Sequence, residues 1–276
     1  MKSPSYRVKI GIIGCGAIGS RMAQAICKEM SKDCKVSGLF DIEMDKTDKL
    51  VKKLNLRKTV RKKSITEVIK SSDCIVEAVN SEDTVQIIEK IIKAKKSVIA
   101  MSVGKLLTAH YLYKLARKNK CYILLPSGAI AGVDAIKAAS MANIKKITLT
   151  TRKPLKGFKA NQYLQDHNID LSKITKETVL FDGSVQQAVK FFPQNINVAA
   201  TIALASQAPK KLHIKIIVSP EYTKNIHEIE MDGDFGRIST KTENVVCPDN
   251  PKTSYLAVLS GLQTLKQYCT GILIGT

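Results

Sequence analysis

Near the N-terminus, Gly14-Cys15-Gly16-Ala17-Ile18-Gly19 has the G-x-G-x-x-G spacing. In this pattern the first glycine allows a tight turn, the second lets a pyrophosphate approach the backbone, and the third lets a helix pack closely on a strand. Free N–H groups at the positive end of the following helix then meet the phosphates. Alone the pattern is weak. Here it follows an apolar run at 8–13, opens a helical segment, and precedes Asp41, which closes a second apolar run about 20 residues beyond Gly19. A carboxylate there accepts both ribose hydroxyls of NAD and repels a 2′-phosphate, so the cofactor is NAD or NADP with a lean toward NAD. Lys46 and Lys49 stand close enough in sequence to neutralise Asp41 and keep NADP open.

The chain has four histidines, at 110, 167, 213 and 227. His110 falls on a surface helix, His167 in a polar stretch and His213 in a strand, and structural or solvated roles suit all three. His227, in Asn225-Ile226-His227-Glu228-Ile229, precedes a turn and stands beside an acidic residue. A neighbouring carboxylate would raise its pKa toward the range of a general acid or base. Spacing alone leaves its role open.

These residues need elements to position them. In the first half, strands at 8–13, 35–40, 74–79, 97–103 and 122–125 and a short one near Thr59 alternate with helices at 17–30, 45–54, before Ser71, 84–94 and 108–119. That order predicts a doubly wound parallel sheet with helices on both faces. After Pro126 the style changes. Strands at 146–151, 211–219, 225–231 and 237–242 alternate in the antiparallel manner, with a helix over 195–205 and a hairpin at Asp232-Gly233-Asp234. Residues 154–174 read as a polar surface excursion. Asn250-Pro251 reads as a stop and restart before a final helix at 253–270. The expected division is a dinucleotide-binding domain at 1–126, with the last helix packed back on it, and a smaller α+β catalytic domain at 127–252 whose sheet is largely antiparallel.

At 276 residues the chain is long enough for two unequal domains, and its 44% apolar content supplies a core. No apolar run approaches the roughly 20 residues that span a bilayer, and residues 1–9 lack the apolar segment of a secretory signal. The seven cysteines are odd in number, far apart and without a C-x-x-C pair, so neither a zinc ribbon nor a redox dithiol is signalled and no metal is expected. Buried free thiols fit a reducing, cytoplasmic compartment. The formal charge of +20 comes mostly from dispersed lysines. The densest cluster, at 57–63, has no interleaved aromatics, and the chain has no tryptophan, which argues against base stacking and a nucleic-acid partner. A lysine-rich surface that attracts anionic ligands is the simpler reading.

Further motifs occur in order: Pro126-Ser127-Gly128-Ala129-Ile130-Ala131-Gly132, Phe192-Pro193-Gln194-Asn195-Ile196-Asn197-Val198-Ala199-Ala200, His227-Glu228-Ile229, and Asn250-Pro251-Lys252-Thr253-Ser254-Tyr255. With the glycine fingerprint, the chain resembles the L-aspartate dehydrogenase family from about residue 8 to 265. The resemblance implies NAD(P)-dependent oxidation of L-aspartate to iminoaspartate, which becomes oxaloacetate and ammonia or feeds pyridine nucleotide biosynthesis. It implies His227 as the catalytic histidine, Ala131 and Asn197 as cofactor contacts beside Gly14, Gly16, Ala17, Ile18, Gly19 and Asp41, and a homodimer. The doubled Asn195/Asn197 leaves the asparagine assignment open by one turn. Aspartate brings two carboxylates, so Lys252 and Thr253, at an expected helix start, are candidate substrate contacts together with Asn195. Two other readings remain at this stage: a related homoserine dehydrogenase or dihydrodipicolinate reductase, and a non-catalytic NAD-binding sensor. The Phe192–Val198 and His227–Ile229 segments argue against the first, and the sensor would leave His227, Asn195 and Asn197 without chemistry.

Overall fold

The computed structural model describes residues 7–79, 81–158, 161–192, 196–248 and 250–275, with the side chains of 250–252 outside that description. By contacts the chain forms two compact units, one of residues 1–126 and 258–273, the other of residues 127–257 and 274–276.

In the first unit, β1 (Val8–Ile13), β2 (Cys34–Phe40), β3 (Cys74–Glu77), β4 (Ser97–Ala100) and β5 (Ile123–Leu124) form a parallel sheet in the order β2-β1-β3-β4-β5. The strands are apolar on both sides because both faces are covered. One face packs Ile10, Ile12, Val76 and Ile99 against Met22 and Ile26 of α1 (Ala17–Lys28). The other packs Ile75 and Val98 against Val68 and Ile69 of α3 (Ile65–Ser71) and Ile87, Ile88 and Ile91 of α4 (Thr84–Lys93). α2 (Met44–Lys53) and α5 (Tyr111–Asn119) complete the layers. The order reverses between β1 and β3, and β1 leads directly into Gly14. Ligands of open α/β sheets bind at such a switch point, beyond the carboxyl ends of the strands.

The second unit holds α6 (Val133–Ala139), β6 (Ile144–Pro154), α7 (Gln162–Asp166), β7 (Thr178–Ser184), α8 (Val185–Phe191), α9 (Asn197–Ser206), β8 (Leu212–Ser219), β9 (Asn225–Gly233) and β10 (Gly236–Asn244). Its sheet has the order β10-β9-β6-β8-β7, antiparallel except for the β6–β8 pair. One face is apolar: Ile147, Leu149, Ile214, Ile216, Ile229 and Met231 are buried. The other carries Lys146, Thr150, Arg152, Glu228 and Glu230. β11 (Val246–Cys247) and β12 (Asn250–Ser254) make a small antiparallel ribbon, and α10 (Tyr255–Thr270) follows.

Several sequence expectations need correction. Near Thr59 there is a 3-10 turn, Lys58–Val60, and only a lone bridge joins Leu39 to Arg61. β4 stops at Ala100 and gives way to a 3-10 turn, Val103–Leu106. The 154–174 stretch is not merely a surface excursion, since Phe158 and Leu164 are buried in it. Phe158 meets Phe192 edge-on at 6.0 Å, and Tyr163 lies 4.9 Å from both Phe191 and Phe192. The hairpin turns at Asp234-Phe235, one residue later than expected, because Gly236 takes the positive φ (+101°) that closes it.

Candidate active site

The glycine turn is fixed by close approach. Gly14 has φ +94°, and a Cβ there would lie 2.5 Å from the Ala78 carbonyl oxygen. A Cβ on Gly19 would lie 1.8 Å from the Gly14 carbonyl oxygen, so this glycine lets α1 sit against β1. A Cβ on Gly16 would meet nothing within 4 Å. Gly16 is the N-cap of α1 and supplies no side-chain cap, which leaves the first-turn N–H groups facing outward as an anion site requires.

Asp41 is tied directly to this turn. One carboxylate oxygen accepts the Cys15 N–H at 2.7 Å and the other accepts the Glu43 N–H at 2.9 Å. Each oxygen keeps lone-pair capacity for a hydroxyl donor. Lys46, considered above as a neutralising group, forms an ion pair with Glu43. The donor and acceptor set therefore fits a dinucleotide whose ribose carries free hydroxyls. Asp41→Ala is expected to weaken NAD binding about tenfold or more, by loss of charge-assisted hydrogen bonds, and to weaken NADP less. Fluorescence titration with both reduced cofactors checks this, and equal losses would remove the ribose assignment.

Glu77, at the end of β3, escaped the sequence reading. Fully buried, it accepts the Val79 N–H at 3.0 Å, the Ser102 N–H at 3.2 Å and the Ser102 hydroxyl at 2.9 Å. It thereby ties the loop after β3 to the loop after β4, beside the glycine turn. A charge at the close of the apolar run Cys74-Ile75-Val76 was the available signal. Burial outweighs the donors and pushes its carboxyl up to about 7. An acid whose folded pKa is raised contributes stability below its unfolded pKa, about 4.3, and loses it as pH rises through the folded value. Glu77→Gln should therefore gain about 2–3 kcal/mol relative to wild type between pH 5 and pH 8. Urea unfolding at the two pH values measures this, and a pH-independent difference would contradict it.

In the second unit His227 lies on β9, opposite Thr151 of β6 and Thr242 of β10. It is only 6% exposed, and its Nδ1 is 3.0 Å from the Thr151 hydroxyl. The expected upward shift by a neighbouring carboxylate is not found. Glu228 points to the opposite face, where it pairs with Arg152. Burial, and secondarily the positive charge of Lys153, lower the imidazole to about 3. The imidazole is thus neutral at physiological pH.

Hydroxyls and amides hold the flanking segments in place. The Ala129 carbonyl accepts from Thr242 Oγ1 and Asn244 Nδ2, each at 3.0 Å, and the Ala131 carbonyl accepts from Thr240 Oγ1 at 3.5 Å. Ser254 Oγ donates to Asn244 Oδ1 at 2.6 Å. The 126–132 motif, the strand bearing His227 and the 250–255 motif are thus one hydrogen-bonded assembly. Asn197 opens α9 as an exposed residue, while Asn195 lies outside the described residues. Lys252 and Thr253 do not start a helix. They belong to β12, which pairs with β11 and ends at Ser254, directly before α10. Of the other histidines, His110 precedes α5, His167 stacks on Tyr163 at 3.9 Å, and His213 pairs with Asp182. Among the described residues no cluster of His, Cys, Asp or Glu could hold a metal ion, and no helix is long and apolar enough to cross a membrane.

The chain has known relatives in both sequence and fold. Residues 14–126 match the family model described as homoserine dehydrogenase, NAD binding domain, and residues 134–268 match that described as aspartate dehydrogenase, C-terminal. The chain is 43% identical, over 98% of its length and 100% of the relative's, to a Methanosarcina mazei protein named L-aspartate dehydrogenase. Among solved structures it resembles an aspartate dehydrogenase from Thermotoga maritima, with a TM-score of 0.72 at 23% identity, covering 98% of this chain and 100% of that one. A homoserine dehydrogenase from Thiobacillus denitrificans follows at 0.63 and 10% identity, covering 96% and 73%. At these identities the structural likeness speaks for the fold. An NAD(P)-dependent oxidoreductase is the class that the nucleotide-binding unit and the full-length relatives define. The sequence match to homoserine dehydrogenases stops at residue 126, whereas the likeness to the Methanosarcina protein runs the whole length. The chain belongs to the L-aspartate dehydrogenase family.

Proposed function

We propose that this protein oxidises L-aspartate to iminoaspartate with NAD or NADP, and that His227 is its acid/base. The observation that carries the reading is a neutral, buried imidazole fixed through Nδ1 by Thr151. In the tautomer where Nδ1–H donates to Thr151 Oγ1, Nε2 keeps a lone pair for a substrate proton. The arriving dicarboxylate raises the imidazole pKa by its negative charge, so the base gains strength when substrate is present.

The substrate ammonium loses a proton to Nε2 and becomes a neutral amine. A bound nicotinamide would supply the acceptor for the Cα hydrogen and its electron pair. The amine lone pair closes the C=N bond to leave an iminium. His227, once it has passed its proton to solvent, can take a proton from the iminium nitrogen to leave iminoaspartate, or from the water that adds to the iminium carbon. On this reading Gly14, Gly16, Ala17, Ile18 and Gly19 hold the pyrophosphate and Asp41 holds the ribose. Ala131 and Asn197 contact the cofactor, and Asn195, Lys252 and Thr253 contact the substrate. The first unit serves the dinucleotide and the second serves the amino acid. The seven free thiols support a reducing, cytoplasmic setting, and a homodimer is the assembly typical of similar enzymes. The direct test follows NADH or NADPH absorbance with L-aspartate, against L-homoserine and buffer. No aspartate-dependent signal with either cofactor would end this reading.

A further inference from the structure

β6 alternates between a polar and an apolar face, and on the apolar face Ile147, Leu149 and Thr151 are buried in turn. Strand periodicity puts the next member of that row at Lys153. A lysine interrupts a row built for aliphatic side chains. Its Nζ lies 5.8 Å from the centre of the Phe158 ring. With Thr151 it lines a cavity of about 10 Å³ whose other walls are apolar, among them Leu149, Phe192, Ile196 and Ile216. Its sequence neighbour Arg152 faces the other way, toward Glu228 and Glu177. The row thus ends in a half-buried cation.

The register sets this cation beside His227. Thr151 opposes His227, so Lys153 is the diagonal neighbour of His227 on the same face. Such neighbours stand about 7–8 Å apart, within reach of a long side chain. The Phe192-to-Ala200 motif begins beside the same cavity, through Phe192 and Ile196. A group that binds between Lys153 and His227 meets a partly desolvated cation on one side and a neutral base on the other.

The geometry points to Lys153 as the residue that receives a carboxylate of the amino-acid substrate and makes the site selective for a dicarboxylate. This rests on the aspartate dehydrogenase reading above. The carboxylate offsets the positive charge that depresses His227, so recognition and activation of the base are one event. Desolvation also lowers the Lys153 ammonium to about 8, and a bound carboxylate raises it again and so holds the lysine in its charged form. A substrate lacking that carboxylate loses turnover as well as affinity.

The test compares full-length wild type, Lys153→Met and Lys153→Arg, with L-aspartate and L-asparagine, together with NADH binding by fluorescence. Lys153→Met should raise the KM for aspartate about 100-fold, as expected for truncating one partner of a buried charge pair. Its preference for aspartate over asparagine should shrink by a similar factor, with NADH affinity within about twofold of wild type. Lys153→Arg should recover part of the preference. An active wild type beside a Lys153→Met variant of unchanged KM and preference would overturn the assignment. An inactive wild type would instead overturn the functional reading. Should Lys153→Met fail to fold, the aspartate-to-asparagine ratio in Lys153→Arg decides. The longer, planar cation must change it if Lys153 touches the carboxylate, and an unchanged ratio overturns the inference.

Discussion

His227→Ala is expected to lower kcat/KM for L-aspartate by about 10³-fold, within the range that general acid–base catalysis supplies, while NADH affinity stays near wild type. The asymmetry follows from place. His227 lies in the mixed sheet of the second unit, whereas the glycine turn and Asp41 belong to the first. Near-wild-type turnover in the variant would overturn the assignment.

The pH behaviour sharpens this expectation. In the free protein the imidazole is lowered to about 3, so its NMR signals should not titrate between pH 5 and pH 8. A base with a depressed folded pKa contributes stability above its unfolded value, about 6.5, and loses it as pH falls toward the folded one. His227 therefore favours the folded state toward neutral pH, while Glu77 favours it toward acid. Between pH 5 and 7 the two oppose one another, and single variants are needed to separate them.

The second large effect concerns Gly19. Gly19→Ala should cost about 3 kcal/mol of stability, at the upper end for overpacking, and weaken dinucleotide binding by about 100-fold. The added Cβ would lie 1.8 Å from the Gly14 carbonyl oxygen and 3.2 Å from Ile12 Cγ2. Backbone cannot yield as a flexible side chain does, so α1 must move away from β1 and carry its N–H groups with it. Gly16→Ala is the matched control, because its Cβ enters open space. That variant should fold with a Tm close to wild type and lose affinity alone. Thermal unfolding with NADH titration distinguishes the two, and a Gly19→Ala protein of unchanged Tm would contradict the packing account.

The parts legible in the sequence were those encoded locally. Residues 8–19 carry strand, turn and helix signals in one window, and the structure places β1 and α1 there. Asp41 was legible because strand length sets its distance from the turn. Its bond to the Cys15 N–H was not, since that bond depends on how β2 pairs with β1. β12 was misread because Asn250-Pro251 is as compatible with a strand start as with a helix start. Pairing with Val246 and Cys247 decided the matter. β7 and α8 were missed, although Ser184 and Gln187 form a capping box. The direction of the His227 shift was not legible because Glu228, adjacent in sequence, points away from it by strand alternation. Lys153 and Glu77 were missed for a related reason. Each is a charge in an otherwise apolar row, Glu77 fully buried and Lys153 half-buried once its sheet is assembled.

The last helix has a consequence for how the chain comes into being. Leu262 and Leu265 of α10 fill the same core as Ile10, Met22 and Cys34. Emerging from a ribosome, residues 1–126 therefore lack part of their own interior, while the whole of the mixed sheet is synthesised before that interior can close. The half of the molecule made first is the half completed last.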